Sequence, residues 1–211
     1  MKNILTICLA VFTFIVAQDT TASVSQEPQL PGWGIYLGGA FGGGTSVDDL
    51  PDGHSLESRL IAPNIGFSKG MFLGGVPLIV GAGIHPRGYT YKMAHPMTGE
   101  DVESEAQVNM VDVWASIPYP IGDRAILQAG LLFGTCLGGT TESLEFTPTG
   151  VNKSEEDITD VEGELDYGIM LGGGIAITEQ IGINFGYYVG LAEFDEMVKF
   201  NGLIFNLGYN F

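Results

Sequence analysis

The sequence predicts an all-β protein, an eight-stranded antiparallel up-and-down transmembrane β-barrel. Three observations lead to this fold class. Eight segments alternate apolar with small or polar residues at a period of two, which is the signature of a β-strand. The connections between them alternate between long and short, and the acidic residues concentrate in the long ones. A mean hydropathy of +0.23 beside a net charge of −17 fits such a segregation of apolar and charged residues along the chain.

The N-terminus has the layout of a secretory signal peptide. Lys2 precedes an apolar run over 4–17, which is shorter than the roughly 20 residues of a membrane-spanning helix. A membrane anchor retained on the mature chain is the alternative. Cleavage would leave Cys136 as the one cysteine, so no internal disulfide can form. The predicted segments are a signal peptide at 1–23 (cleavage within 17–23), a short lead at 24–32 and the barrel at 33–211.

Eight segments carry the period-two pattern, each with one apolar face that we expect to contact lipid. In chain order they cover 33–41, 60–68, 76–91, 108–119, 125–137, 165–177, 181–191 and 201–211. Their lengths suit tilted spanning strands. The second segment is irregular, because Pro63 cannot donate to the ladder and such prolines occur at edges or bulges. Strict alternation in that segment puts Ile61 on the lipid face.

The connections predict which end of the barrel faces outward. Long connections over 42–57, 92–107 and 139–163 and a medium one over 192–201 alternate with short ones. Outer-membrane barrels have short periplasmic turns and longer external loops, so both termini are expected in the periplasm. Of 25 acidic residues, 18 lie in the four longer connections. A soluble, lipocalin-like barrel would need an apolar interior, for which glycine, asparagine, aspartate and serine are poorly suited.

The last strand ends on an aromatic residue with nothing polar after it. Apolar residues occupy every second position back from the C-terminus, at Phe211, Tyr209, Leu207, Phe205 and Leu203. Aromatic residues near strand ends suit the girdles at the membrane interfaces. The pattern looks like the recognition signal of the outer-membrane barrel assembly machinery. We therefore expect Phe205, Leu207, Tyr209 and Phe211 to carry an assembly signal, with that machinery as a partner during biogenesis.

Short stretches of the chain resemble a known family. They are G-A-G-I-H-P-R-G-Y-T-Y-K (81–92), D-V-W-A-S-I-P (112–118), D-Y-G-I-M-L-G-G-G (166–174) and G-Y-Y-V-G-L (186–191), followed by L-G-Y-N-F (207–211). They are similar to the outer-membrane β-barrel domain of PorT-like proteins, among the small OmpX-OmpA-like barrels of Gram-negative bacteria. The resemblance covers the predicted barrel and implies an outer-membrane location. It implies no particular activity, and no feature of this chain ties it to the branch linked to protein secretion.

The inward faces of the predicted strands carry charged residues that would meet in the lumen. Arg87, Asp112 and Asp166 fall at similar heights above the periplasmic turns. A guanidinium binds carboxylates through paired hydrogen bonds, and buried charges require partners, so we predict an ion-pair network that plugs the barrel. A proton or ion path is the alternative, although eight-stranded barrels are normally filled with side chains. The predicted network comprises His85, Arg87, Asp112, Gln128, Asp166, Asn184 and Asn206.

Two acidic clusters in the long connections are weak candidates for a metal site. Clustered oxygen ligands suit calcium or magnesium, yet neither cluster has EF-hand spacing. The candidates are Asp48, Asp49, Asp52, Glu155, Glu156, Asp157 and Asp160. A solvated acidic loop is the simpler interpretation, and we predict no resident metal and no cofactor. A further hypothesis is that these loops share divalent cations with anionic lipopolysaccharide.

Histidines near the external end raise the alternative of a lipid A-modifying barrel enzyme, which would hold a histidine, a serine and a carboxylate at the outer rim. His54 has Ser55 and Glu57 beside it, and His95 lies in the second long connection. Catalytic groups must lie within hydrogen-bond reach of one another, which neighbouring loop positions do not establish. We therefore predict a protein that is not an enzyme.

The predicted function is that of a non-enzymatic outer-membrane barrel with acidic extracellular loops, acting in membrane integrity or surface binding. A small channel, or a transport or secretion-associated barrel, is the second hypothesis, and the lipid-modifying enzyme is the third. The expected partners are outer-membrane lipid and lipopolysaccharide, the barrel assembly machinery, and divalent cations at the loops. Nucleic acid is not expected, because the sequence has no basic patch, P-loop or zinc-ligand spacing.

Overall fold

The computed structural model describes residues 30–148, 150–195 and 197–211. The predicted signal peptide and nearly all of the predicted lead lie outside the described residues. No described segment forms a helix that is long and apolar enough to cross a membrane.

Eleven β-strands build the described part of the chain. They are β1 (Trp33–Ser46), β2 (Ser55–Glu57), β3 (Arg59–Leu73), β4 (Val76–Ile84), β5 (Arg87–Ala94), β6 (Asp101–Ile121), β7 (Ala125–Thr147), β8 (Gly150–Ile158), β9 (Leu165–Ala176), β10 (Ile181–Gly190) and β11 (Val198–Asn210). The turn between β3 and β4 is Gly74–Gly75, and both residues have positive φ (60° and 87°), a conformation that glycine adopts without strain.

The strands close into a ring of eight walls, each antiparallel to the next. Three walls consist of two strands in line, β2 with β3, β4 with β5, and β8 with β9. β1 closes the ring by pairing with β11, from Gly34 opposite Asn210 to Ser46 opposite Val198. Closure satisfies the backbone hydrogen bonds of the spanning part without an open edge. The eight-stranded up-and-down barrel predicted from the sequence is confirmed.

The outward face of the ring is an apolar belt. Alternate residues point in opposite directions, so that Leu131 is 52% exposed while its neighbour Leu132 is 2% exposed. The exposed side chains are large and apolar on every spanning wall, as with Ile183, Phe185 and Leu207. Monomeric soluble proteins rarely expose such a continuous apolar surface, whereas a bilayer requires it.

One wall departs from the predicted alternation. The sequence pattern puts Ile61 on the lipid face, but Ile61 is 1% exposed and lies in the lumen. The register between β1 and β3 shifts between Gly38 and Ala40, and the facing residues Ala62 and Pro63 are both exposed. Such an irregularity beside a proline, which has no N–H to donate, changes the phase of the alternation, so that Ile61 before it faces the lumen while Ile65 and Phe67 after it face outward. The prediction for Ile61 is wrong for this reason.

The long connections are mostly strand. β6 and β7 are 21 and 23 residues long, and beyond the membrane they pair with β5 and β8. The prediction of loops over 92–107 and 139–163 is therefore wrong for most of their length. In β8 six consecutive residues, 152–157, are exposed, so both faces of that strand are open and neither needs an apolar period that would indicate a strand. We call β2, β5, the first part of β6, the last part of β7 and β8 the external sheet.

Candidate functional site

Arg87, the first residue of β5, lies at the centre of a buried charged cluster in the lumen. Its Nη2 donates to both carboxylate oxygens of Asp112 at 3.1 Å, and its Nε lies 2.8 Å from Oδ2 of Asp166. The Asp112 and Asp166 carboxylates are fully buried, and the Arg87 side chain is 8% exposed. Gly134 pairs with Asp112 across β6 and β7, and a Cβ there would overlap that carboxylate. The glycine therefore creates the space that the ion pair needs.

His85 extends the charged cluster toward β1. Its Nδ1 lies 2.8 Å from Oδ2 of Asp112, and its Nε2 lies 2.8 Å from the hydroxyl of Tyr36. The indole Nε1 of Trp114 donates to the same hydroxyl at 3.5 Å. Because both ring nitrogens of His85 have partners, the imidazole is held in one orientation.

A small cavity lies beside Arg87. Its volume is about 30 Å³, and its lining includes Asn64, Asp112 and Tyr188. The guanidinium carbon of Arg87 lies 5.1 Å from the centroid of the Tyr188 ring, a cation–π contact. Arg87 Nη1 and both polar atoms of the Asn64 side chain are buried without a protein partner. A cavity of this size with polar atoms around it has room for ordered water, which could pair with these buried polar atoms.

The three amide residues of the predicted lumen network, Gln128, Asn184 and Asn206, lie nearer the periplasmic end of the barrel than the charged cluster does. The Gln128 side-chain oxygen accepts a hydrogen bond from the Ser116 hydroxyl at 3.2 Å. Asn184 and Asn206 face each other across β10 and β11 and are half-buried. The structure thus brings four of the seven predicted residues into contact, His85, Arg87, Asp112 and Asp166, and places the amides apart from them.

The cluster also contains Tyr36, Tyr188 and Asn64, which the sequence pattern did not predict as members. Both tyrosines point into the lumen among glycines, since a Cβ at Gly66 would overlap the Tyr36 hydroxyl and one at Gly168 would overlap the Tyr188 ring. A large polar residue facing glycines on the neighbouring wall is the signal that could have found them. Asn64 follows the irregularity in β3, so its contacts depend on a register that alternation does not reveal.

An apolar cluster closes the lumen on the external side of the charged cluster. Two of its members, Val161 and Phe194, lie in the connections that follow β8 and β10, and they pack into the barrel mouth. Phe194 packs on Phe200 with ring centroids 5.1 Å apart. The other buried apolar members are Val108, Met110, Leu132, Cys136 and Val198. Side chains therefore fill the described lumen, as is usual for eight-stranded barrels.

Partly exposed ion pairs join strands of the external sheet to one another and to Arg59 at the start of β3. They are Lys92 with Glu57, Asp101 and Glu103, Arg59 with Glu105, and Lys153 with Glu142. The hydrogen bond from Lys153, at 2.9 Å, is the main cause that lowers the pKa of the Glu142 carboxyl. The nearby carboxylate of Glu57 is the main cause that raises the pKa of Lys92. Exposed pairs of this kind contribute little stability individually.

The seven candidate metal ligands do not form one site. Asp48, Asp49 and Asp52 lie between β1 and β2, whereas the other four lie on or just after β8. Glu155 and Glu156 are consecutive strand residues, so their side chains point to opposite faces. Within the described residues, no group of three or more His, Cys, Asp or Glu side chains could hold a metal ion.

The histidines of the enzyme hypothesis have other partners. His54 Nδ1 lies 2.5 Å from the hydroxyl of Tyr91. His95 is 3% exposed, and its Nδ1 accepts the backbone N–H groups of Met97 and Thr98, so it holds the turn between β5 and β6. Among the hydrogen bonds of the described residues, neither histidine binds a serine or carboxylate side chain.

The C-terminal strand presents its predicted assembly signal to lipid. Phe205, Leu207, Tyr209 and Phe211 are all exposed on the outward face of β11. The backbone N–H of Phe211 donates to the carbonyl of Trp33, so the two ends of the barrel meet at the periplasmic rim. Recognition by the assembly machinery stays a prediction.

A closed ring of eight antiparallel strands, with an apolar belt outside and a filled lumen, defines an eight-stranded transmembrane β-barrel. A single-chain barrel with this belt and with short turns at one end belongs in an outer membrane. The chain has the fold of the small outer-membrane β-barrel proteins of Gram-negative bacteria.

Comparison with one solved structure, the first of the two below, supports this fold assignment. The chain is similar to the crystal structure of Neisserial surface protein A, with a TM-score of 0.51 and 12% identity over 87% of this chain and 99% of that one. Ail, the attachment invasion locus protein of Yersinia pestis, has a TM-score of 0.49 and 16% identity over 86% and 99% of the two chains. No protein-family model and no curated protein sequence matches the chain. Likeness at these identities concerns the fold alone.

The folded barrel is expected to resist detergent until it is heated, because the closed ring leaves no strand edge at which the spanning part can open. Gel electrophoresis of the outer-membrane fraction, with and without boiling in detergent, should show two mobilities. Identical mobilities, with the protein in the soluble periplasmic fraction, would mean that the apolar faces point inward.

Proposed function

We propose that this barrel is a non-enzymatic binding protein of the outer membrane, and that its external sheet captures an extended, basic protein segment along the edge of β8. The observation that carries the proposal is the pairing of β8. Among the described strands, β8 pairs with β7 on one side only and ends the sheet order. The unpaired N–H and C=O groups of such an edge can receive another strand, as in β-augmentation.

The charge on β8 favours a basic partner. Glu155, Glu156 and Asp157 are exposed, and none of them pairs with a cation of the described residues. Glu155 lies directly opposite Glu142 on β7, an unfavourable like-charge pair. Lys153 binds Glu142, which leaves the Glu155 carboxylate for an incoming cation. Two copies of β8 would repel each other, so a basic segment fits this edge better than a second copy of the chain.

The filled lumen supports binding rather than conduction as the role. The buried charged cluster and the apolar cluster above it occupy the lumen and support the external sheet on a rigid base. A role in membrane integrity, with divalent cations shared between the acidic sheet and lipopolysaccharide, has weaker support. Calcium and magnesium take six or more oxygen ligands, and the acidic residues of β8 alternate between two faces.

The proposal is tested with the full barrel in lipid nanodiscs and a ten-residue peptide that alternates lysine and threonine. We expect micromolar binding that weakens at least tenfold when alternate peptide nitrogens are methylated, because methylation removes edge hydrogen bonds and keeps the charge. The double variant Glu155→Gln/Asp157→Asn should weaken binding several-fold.

The matched control is Asp48→Asn/Asp49→Asn, which removes the same charge from the connection between β1 and β2. It should leave the affinity nearly unchanged. Equal binding of the methylated peptide would mean electrostatic adsorption without strand addition and would overturn the proposal.

A further inference from the structure

Lys69 is a positive charge on the lipid-facing surface of the barrel. It lies on β3 between Phe67 and Met71, which are both exposed on the outward face. Along the outward faces of the described spanning walls, from the periplasmic turns up to the level of Leu60 and Leu203, it is the one charged side chain. A cation on the lipid face is costly near the bilayer centre and tolerated near an interface.

Lys69 lies at the level of the lipid headgroups of the inner, periplasmic leaflet. Lys69 pairs in register with Trp33, the first residue of β1, and Trp33 is hydrogen-bonded to Phe211 at the C-terminus. The first strand begins, and the last strand ends, at the end of the barrel with the short turns, which is periplasmic. Tryptophan and phenylalanine at this level form the aromatic girdle at the headgroups. The Lys69 Nζ lies 4.8 Å from the Trp33 ring centroid, a cation–π contact that holds the ammonium at this depth.

A groove runs along the barrel wall from this ammonium. Its volume is about 340 Å³, and apart from the Lys69 ammonium its side chains are apolar. Val80, which pairs with Lys69 across β3 and β4, and Ala82 are smaller than the surrounding residues and form its floor. The walls of the groove are Trp33, Phe67 and Met71.

We infer that this groove, the Lys69 groove, binds an anionic phospholipid of the inner leaflet. The lipid phosphate contacts the Lys69 ammonium, and an acyl chain lies over Val80 and Ala82. Charge complementarity identifies the occupant, because Lys69 is the one charged side chain on the outward face of the described walls at this level, and a cation near a membrane surface attracts anionic headgroups. At the same rim Arg124 lies beside Asp123 in the turn between β6 and β7 and outside the groove.

Tryptophan fluorescence in vesicles with brominated acyl chains tests the inference. The chain has two tryptophans, and Trp33 borders the groove while Trp114 points into the lumen, so bromine quenches mainly Trp33. Mixtures of brominated phosphatidylglycerol or brominated phosphatidylcholine with unbrominated lipid yield the relative binding constant of each lipid at Trp33. We expect about a five-fold preference for phosphatidylglycerol, the effect of one lysine near a membrane surface.

Three variants distinguish lipid binding in the Lys69 groove from nonspecific electrostatic attraction of anionic lipid to the periplasmic rim. Lys69→Gln should abolish the preference, whereas Arg124→Gln, which removes the same charge from the same rim, should retain it. Ala82→Leu fills the groove, keeps the lysine and should reduce the preference at least by half. Boiling-dependent gel mobility checks that each variant is folded. Equal affinity of the wild type for both lipids, a preference that survives Lys69→Gln, or full preference in Ala82→Leu would each overturn the inference.

Discussion

Replacing Arg87 with methionine is expected to lower the free energy of unfolding by about 3–5 kcal/mol, the usual cost of breaking a buried ion pair by removing one partner. Arg87 contacts Asp112 and Asp166, and both carboxylates are fully buried. Without the guanidinium, two like charges would remain in the lumen with few other hydrogen-bond donors. Urea unfolding of the barrel in lipid vesicles, followed by gel mobility, measures the effect.

Two further variants show whether the loss of stability in Arg87→Met arises from the unpaired charge of the buried carboxylates. Lys92→Met also removes a cation beside three carboxylates, but on the exposed external sheet, and should cost less than about 1 kcal/mol. Adding Asp112→Asn and Asp166→Asn to Arg87→Met removes the uncompensated charges and should restore part of the lost stability. Equal losses in Arg87→Met and Lys92→Met would contradict the buried ion-pair network.

Replacing Leu131 with arginine is expected to cost about 2–4 kcal/mol in a bilayer, the range for a charge on the lipid face at the midplane of a barrel. Leu131 lies halfway along the spanning part of β7 and is exposed on the belt. In a soluble protein the same exposed leucine would tolerate arginine with little loss. The measurement is again urea unfolding in lipid vesicles.

The control is an arginine substitution on the same face at a different depth in the membrane, because the cost of a charge on the lipid face depends on that depth. Tyr119→Arg lies on the same face near the periplasmic turn of β6 and should cost only about 0–1 kcal/mol. The neighbouring inward residue Leu132 is 2% exposed, so Leu132→Ala should cost about 2–5 kcal/mol through the cavity that it leaves. If arginine at 131 and at 119 cost the same, the belt would not be the lipid-facing surface.

The charged cluster shows which contacts between inward-facing residues can be predicted from a sequence. Alternation places Arg87, Asp112 and Asp166 on inward faces, and opposite charges in a narrow lumen attract, so their contact could be expected. The separation of Asn184 and Asn206 from that cluster could not, because the height of a residue in a barrel depends on strand register and tilt. Asn184 and Asn206 are also neutral and half-buried, so no electrostatic attraction selects one partner for either side chain.

The sequence by itself determined which face of nearly every spanning strand meets lipid. Lipid imposes one requirement, apolar side chains, on every outward position, and strand geometry turns that requirement into a period of two. Ile61 is the exception, since the irregularity at Ala62 and Pro63 changes the phase of the alternation.

Only the tertiary structure decided which residues meet inside the barrel and above it. Val161 and Phe194 close the lumen although they lie in connections without any period. β8 is exposed on both faces and carries no apolar pattern, and its edge exists only because β7 pairs with it there. These features depend on contacts between residues that are distant along the chain, which local alternation does not encode.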